Sequence, residues 1–332
     1  MILKKLILLF ISLTLLLLMA CSEDSTTEPE KVNEFNLVTE VGDDYFTTYT
    51  TSGGKGVNIS IAAVFDNLTD GDDSNNPYII DYRNATDFAS GHIIGAVNVS
   101  LADLMDHLAD IPAGKTVLNV CYTGQTASVA TAVLNMLGYE AQNLSYGMCS
   151  VTDNPNEING TDRWKNQITG ADEYTLSKND AGAPPSRTGF PELNTSKTNA
   201  EEIIMERFPA TASGWGVTFN DLMTDKDNYF IVNYWSTSDY LNIGHIEGAY
   251  QFAPKLSLQK AADLELLPTD KKVAVYCWTG QTSAQVVAYL KILGYDAYSL
   301  YYGVNGCSYN QLPDGSPKYS IPNEDYSSII TE

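Results

Sequence analysis

The 332-residue sequence predicts an α/β protein made of two similar domains, each a parallel β-sheet with helices on both faces. Three observations carry that prediction. A six-residue loop occurs twice, as Cys121-Tyr-Thr-Gly-Gln-Thr126 and Cys277-Trp-Thr-Gly-Gln-Thr282. Each copy follows a short apolar run rich in β-branched residues and precedes a helical pattern, so each cysteine stands where a buried strand turns into a helix. Elsewhere the halves match again, Gly91-His-Ile-Ile-Gly-Ala96 with Gly244-His-Ile-Glu-Gly-Ala249 and Leu137-Gly-Tyr139 with Leu293-Gly-Tyr295, a whole domain length apart.

In chain order, the first element is a targeting segment. Lys4 and Lys5 precede an apolar stretch from Leu6 to Leu18 that is too short to span a membrane comfortably and is flanked as a signal peptide is. Leu18-Met-Ala-Cys21 resembles the lipobox of bacterial lipoproteins, which implies a leader over residues 1–21 and lipidation of Cys21. A plain cleaved signal or an anchor helix are the other readings of this stretch. Residues 22–35, acidic and polar at their start, read as a flexible tether. The expected location is therefore outside the cytoplasm, lipid-anchored to the bacterial cell envelope on its periplasmic face or at the cell surface.

Residues 36–185 read as the first domain and 186–332 as the second. In the first, an amphipathic helix (Ile59 to Leu68) precedes a strand (Tyr78 to Asp81), then the Gly-His-Ile segment leads into another strand and a helix. The cysteine strand (Thr116 to Val120), its loop and helix, and a last strand (Ala141 to Ser145) complete it. The second repeats the order, with a helix near Val217 to Met223 and strands at Tyr229 to Asn233, Lys272 to Tyr276 and Ala297 to Tyr301. Between them, Val151 to Thr198 concentrates Pro, Asn, Asp, Gly and Ser. Strands alternating with helices call for right-handed crossovers, and the loops at strand C-terminal ends then form the site.

Composition bounds the partners. With 44% hydrophobic residues the chain can build two cores, and its 19 basic against 41 acidic side chains give a formal charge of −22. That balance argues against nucleic acid, polyphosphate ligands and electrostatic attraction to anionic lipid.

The repeated loop is suited to holding an anion. Glycine lets the backbone curl so that its N–H groups converge, and the helix N-terminus behind them adds roughly half a positive charge. A sulfur at that point is stabilised as thiolate, the nucleophilic form. Cys121 and Cys277 are thus the candidate catalytic residues, with Tyr122, Thr123, Gly124, Gln125, Thr126 and Trp278, Thr279, Gly280, Gln281, Thr282 as the candidate substrate cradles. The bland alternative is that both cysteines are buried packing residues, as free cysteines often are. His92 and His245 read as structural turn residues, no Cys/His spacing resembles a zinc site, and no cofactor is expected.

Asp81-Tyr-Arg83, Asp87-Phe88, Gly91-His-Ile-Ile-Gly-Ala-Val-Asn98, the Cys121 loop and Leu137-Gly-Tyr139 together resemble the rhodanese (sulfurtransferase) family, and the second half resembles it through the matching segments ending in Cys277-Trp-Thr-Gly-Gln-Thr-Ser283. The resemblance implies two rhodanese-like domains in which Cys121 and Cys277 take sulfane sulfur as persulfides and pass it to cyanide or a thiol. It also implies a supporting role for Asp81 and Arg83, with Arg83 paired to Asp87, and partners limited to a small sulfur compound or a protein thiol. Two departures matter. Many thiosulfate-using members carry Arg or Lys in the loop, whereas residues 122–126 and 278–282 contain neither, so a neutral donor or a protein thiol stands beside thiosulfate. Cysteine phosphatases of related fold need an arginine where this chain has Ala127 and Ser283, which argues against phosphoryl chemistry.

Cys149 and Cys307 each follow the last strand of a half. Three readings stay open for them: resolving thiols, bystanders, or disulfides Cys121/Cys149 and Cys277/Cys307 that would turn the protein into a non-catalytic or thiol-redox binding module.

Overall fold

The β-branched runs pair as parallel ladders in both halves. The computed structural model describes residues 32–152, 162–169, 174–179, 181–182, 184–185 and 189–332. The first half contains β1 (Asn58–Ile59), β2 (Tyr78–Asp81), β3 (His92–Ile93), β4 (Val97–Asn98), β5 (Val117–Val120) and β6 (Ala141–Leu144), of which five form a sheet in the order β1-β6-β5-β2-β4. The second half contains β7 (Gly216–Val217), β8 (Tyr229–Asn233), β9 (Tyr250–Gln251), β10 (Lys272–Tyr276) and β11 (Ala297–Leu300), in the order β7-β11-β10-β8-β9. Every pair within these sheets is parallel. In each sheet the cysteine strand is central, β5 between β6 and β2 and β10 between β11 and β8, so both cysteines emerge at the centre of a C-terminal edge.

Side-chain alternation along these strands feeds two layers. Ile80, Val117, Val232 and Val275 point into one continuous core that lies between the sheets. Within it the helices Gln125–Met136 and Gln281–Ile292, which follow the two cysteine loops, pack directly on each other. Ile79, Leu118 and Val120 face outward beneath the helix Ile61–Thr69, and Ile231, Ala274 and Tyr276 face outward beneath Phe219–Thr224. Helices therefore cover both faces of both sheets.

Several local expectations shift by a few residues for identifiable reasons. The first amphipathic helix begins at Ile61 because the Ser60 hydroxyl accepts the Ala63 N–H at 3.3 Å and caps it. The helix expected after the Gly-His-Ile segment and its strand is the 3₁₀-helix Leu101–Asp110, whose three-residue period puts the buried Leu101 and Leu104 on one line. Its counterpart in the second half reduces to turns and the short 3₁₀ segment Leu264–Leu266.

The chain ends exchange places. The N-terminal helix Glu34–Thr48, which starts inside the expected tether, packs against the second half. Its Glu34 carboxylate accepts the N–H groups of Thr195 and Ser196 at 2.8 Å each, Tyr45 donates to Gln285 at 3.0 Å, and Gly42 lies so close to Tyr289 that a Cβ would come within 2.2 Å of its ring. In the other direction, β12 (Ile330–Thr331) adds antiparallel to β3, and the Tyr326 N–H bonds the Val151 carbonyl at 2.9 Å. Residues Asn33–Glu332 accordingly form one compact unit, although the two sheets repeat. The expected leader, Cys21 and most of the tether lie outside the described residues, as does much of the connection between the halves. Among the described residues no helix is long and apolar enough to cross a membrane.

Candidate active site

Each cysteine ends its strand and is followed by a loop closed by a glycine in the left-handed region, Gly124 (φ 80°) or Gly280 (φ 78°), which caps the next helix. The turn brings main-chain donors back over the sulfur. The Ala127 N–H donates to Cys121 Sγ at 3.3 Å and the Ser283 N–H to Cys277 Sγ at 3.3 Å. The N–H groups of Thr123 and Gly124 also face Cys121 Sγ and favour its thiolate. The Ala127 and Ser283 donors sit in the first turn of each helix, where no intrahelical acceptor exists for them. The cradle therefore forms twice, and its best-placed member lies one residue beyond the six-residue loop, at Ala127 and Ser283.

A second turn pins the loop from behind. After β6, Tyr146 and Gly147 take left-handed conformations (φ 63° and 58°), and Met148 and Cys149 donate to the carbonyls of Cys121 and Tyr122 at 2.9 and 3.2 Å. Tyr302 and Gly303 repeat this (φ 62° and 56°), with Val304 and Asn305 donating to Cys277 and Trp278 at 3.0 Å each. A Cβ at Gly147 would lie 2.2 Å from the Cys121 carbonyl oxygen, so only glycine fits there.

The two loop glutamines are engaged in hydrogen bonds between the halves. Gln125 and Gln281 are buried at the junction of the halves, 2% and 4% exposed, and reach across it. Gln125 Oε1 accepts the Tyr302 N–H at 2.7 Å, and Gln281 Oε1 accepts the Tyr146 N–H at 2.9 Å and the Asn143 amide at 3.1 Å. Their own amides donate to the Thr123 and Thr279 hydroxyls at 3.0 and 3.1 Å. Each loop is thus tied by hydrogen bonds to the turn that braces the other cysteine. Gln281→Ala is expected to cost about 1–3 kcal/mol, the scale of leaving a buried donor unsatisfied, as a lower urea midpoint. An unchanged midpoint would remove the cross-tie from the account.

The Asp81 and Arg83 side chains form a buried ion pair with Nη2 to Oδ2 at 2.7 Å, and Arg83 Nη2 also donates to the Gly91 carbonyl at 2.7 Å. The implied pairing of Arg83 with Asp87 is not what forms. Asp87 instead accepts the Tyr122 hydroxyl, and Arg83 bonds Asp81 on its own strand end through Nε and Nη2.

The two sites differ in what covers them. Over the first, the Trp164 indole donates to the Thr123 carbonyl at 3.2 Å and the Arg163 guanidinium lies 3.7 Å from the Tyr122 ring centre. Trp164 is itself enclosed by Tyr146, Tyr302 and Tyr319. Cys121 is 1% exposed, and burial raises its thiol pKa despite the three N–H groups that lower it. The expectation of a low-pKa cysteine is therefore not met there. Over the second site, Cys277, Thr279 and Thr282 open on a cavity of about 370 Å³ walled by Tyr49, Tyr234, Trp235 and Trp278. Lys255 lines it as well, so a cation reaches the mouth from outside the loop.

Cys121, Cys149, Cys277 and Cys307 are all free thiols, so the Cys121/Cys149 and Cys277/Cys307 disulfides do not form in this structure. Each of the outer cysteines has its own partner: the Cys149 sulfur accepts the Trp164 and Arg163 N–H groups, and Cys307 Sγ lies 3.6 Å from the Val304 carbonyl. Burial pushes both thiols up to about 12, which leaves neither poised as a resolving thiolate at neutral pH. The folded protein keeps these protons well past the ordinary value of 9.0, so the unfolded chain loses them first. Stability is then expected to be intact below about pH 9 and to fall as pH rises towards 12, which thermal melts across that range measure. A flat melting temperature over the interval would contradict it.

His92 and His245 stack on Phe88 and Tyr240 with ring centres 3.8 Å apart, and both bond main-chain carbonyls, as turn residues do.

The sequence model of the rhodanese-like domain matches this chain twice, over residues 62–153 and 218–308, together more than half of it. Each stretch contains one cysteine cradle. Comparison with curated proteins found no match. Similar solved structures include a rhodanese-like domain protein from Staphylococcus aureus, 22% identical over 28% of this chain and 88% of that one, with a TM-score of 0.26. A protein from Lactobacillus plantarum is 27% identical over 30% of this chain and 86% of that one, with a TM-score of 0.25. A thiosulfate sulfurtransferase from Pseudomonas aeruginosa is 14% identical over 86% of this chain and 49% of that one, with a TM-score of 0.29.

Proposed function

The chain belongs to the rhodanese-like domain family, and from that premise we propose that it is a sulfurtransferase whose turnover runs through Cys277. The observation that carries this reading is the Cys277 sulfur, which accepts a helix N-terminal N–H at 3.3 Å and lines an open cavity. Its thiolate attacks the outer sulfur of a sulfane donor. The Sγ–S bond forms, the donor's bond to that sulfur breaks, and the electron pair leaves with the donor remnant. A thiolate or cyanide acceptor then attacks the outer sulfur of the persulfide and releases Cys277 as thiolate. The main-chain N–H groups hold the charge in both steps without an acid or base side chain.

Cys121 has the same cradle, but the Trp164 indole is bonded to its loop at the Thr123 carbonyl and burial raises its thiol pKa. The first half accordingly supports the second reading, a rhodanese-like module that braces its partner through Gln125 and Gln281. The partners of the proposed reaction are a small sulfur compound or a protein thiol. Anchoring through a lipidated Cys21 at the cell envelope belongs to the same proposal, on the strength of the lipobox-like sequence. Mass mapping of the full chain after exposure to a sulfane donor tests the reading: one added sulfur on the Cys277 peptide supports it, and a donor-treated chain with no adduct on Cys277 refutes it.

A further inference from the structure

The two cysteine loops meet at the junction of the halves. The helices behind them pack on each other, and the loop glycines leave no slack between them. A Cβ at Gly124 would lie 2.4 Å from Gln281 Oε1, and one at Gly280 would lie 2.5 Å from Gln125 Oε1. Packing this close passes a displacement of one loop to the other instead of absorbing it.

Hydrogen bonds and short backbone stretches lead from one sulfur to the other. The Ser283 N–H reaches Cys277 Sγ at 3.3 Å. Two residues earlier, Gln281 Oε1 accepts the Tyr146 N–H at 2.9 Å and the Asn143 amide at 3.1 Å, both in the first half. Tyr146 opens the left-handed turn after which Met148 and Cys149 donate to the carbonyls of Cys121 and Tyr122 at 2.9 and 3.2 Å. That turn holds the loop of the buried Cys121 in place.

The connection is not equal in its two directions. Gln281 accepts two bonds across the junction, whereas Gln125 accepts the Tyr302 N–H at 2.7 Å. The difference arises because Ser299 stands at the strand position equivalent to Asn143, and its hydroxyl bonds Ser283 in its own half at 2.8 Å. The stronger tie therefore starts from the loop whose cysteine lines the open cavity, and it ends on the turn that braces the enclosed one.

We infer that Gln281 is a positioning residue for the opposite half, through which an adduct on Cys277 releases the Tyr146 turn and exposes Cys121. The inference rests on the sulfurtransferase reading and adds an order of loading to it: sulfur on the second cysteine opens the first. An atom added to Cys277 Sγ takes the space into which the Ser283 N–H points, so the loop is displaced and Gln281 moves with it. The Tyr146 N–H loses its acceptor, and the turn behind Cys121 loosens. Coupling of this kind is a free energy shared by two sites, carried here by a contiguous set of contacts.

Iodoacetamide is the probe: a thiolate displaces its iodide and keeps a stable thioether, so the coupling is read without any transfer of sulfur. The full chain is alkylated, and the rate at each cysteine is followed by peptide mass mapping. Once Cys277 of the parent is alkylated, Cys121 is expected to react about tenfold faster than in Cys277→Ser, where no adduct forms, which is the scale of one lost hydrogen bond. Gln281→Met fills the space but cuts the tie. It should give the fast Cys121 rate with either Cys or Ser at position 277, while Cys307 keeps its parent rate. Equal Cys121 rates in the parent and Cys277→Ser would overturn the coupling, and that comparison holds even if Gln281→Met does not fold. A dependence on Cys277 that survives in Gln281→Met, or a Cys307 rate that rises with that of Cys121, would overturn the role of Gln281. Donor treatment separates the two claims. Coupling with no persulfide on Cys277 refutes the sulfurtransferase reading alone, and a Cys277 persulfide with equal Cys121 rates refutes this inference alone.

Discussion

Cys277→Ser is expected to lose sulfur transfer by at least roughly a thousandfold, the scale on which removing a nucleophile leaves only binding. Serine fits the site, because the Ser283 N–H that now reaches Sγ at 3.3 Å can reach a hydroxyl oxygen, and the loop remains pinned by Val304 and Asn305. What is lost is the chemistry. A hydroxyl has no accessible anion at neutral pH and no stable bond to sulfane sulfur, so the persulfide cannot form. Cys121→Ser, in contrast, should keep most of the turnover, because burial raises the Cys121 thiol pKa whereas Cys277 lines the cavity. The two variants are compared by donor-dependent thiocyanate formation and by mass mapping of the adduct. If Cys277→Ser retains turnover within a few-fold and Cys121→Ser does not, the covered site is the working one and the open cavity has another use.

The sheets and cradles were legible because each rests on a short-range signal. The strand Tyr78–Asp81 carries its own apolar run, and Gly124 and Gly280 mark turns that only glycine makes without strain. What escaped was whatever one half supplies to the other. The helices Glu34–Thr48 and Ala200–Ala212 begin with caps, Asn33 and Asn199, whose side chains accept the Asn36 and Glu202 N–H groups at 3.0 and 2.9 Å, a pattern the sequence does contain. Their apolar faces pack beside the two loop helices and not on a strand nearby in sequence, so no local context announces them. The same holds for the glutamines. A loop that recurs with Gln at one position suggests a ligand, and only the juxtaposition of the two loops shows Gln125 and Gln281 binding each other's bracing turns. Lys255 and Arg163 likewise stand far from the cysteines in sequence, which is why loops without a basic residue pointed to sites without a cation.

Asp81→Ala is expected to destabilise the protein by about 3–5 kcal/mol, the cost of stranding a buried charge. Asp81 and Arg83 are 0% and 2% exposed, and Asp81 gives the guanidinium three contacts between 2.7 and 3.1 Å. Without the carboxylate, the buried Arg83 guanidinium loses these three contacts, while its bond to the Gly91 carbonyl remains. The second half already shows how the same two positions are filled without charge. There Asn233 bonds the Tyr276 hydroxyl at 2.9 Å and Trp235 stacks on Trp278, at the same end of the equivalent strand. The ion pair is therefore one of two solutions to one packing problem, and its worth lies in the penalty for breaking it and not in net stabilisation. It follows that Asp81→Asn combined with Arg83→Trp should be less destabilised than Asp81→Ala alone, although it changes two buried residues. Urea denaturation of the three proteins decides the point: a double variant that unfolds earlier than Asp81→Ala would mean that the charged pair stabilises this edge in its own right, and that the two halves have diverged beyond exchange at the strand that supports the cysteine.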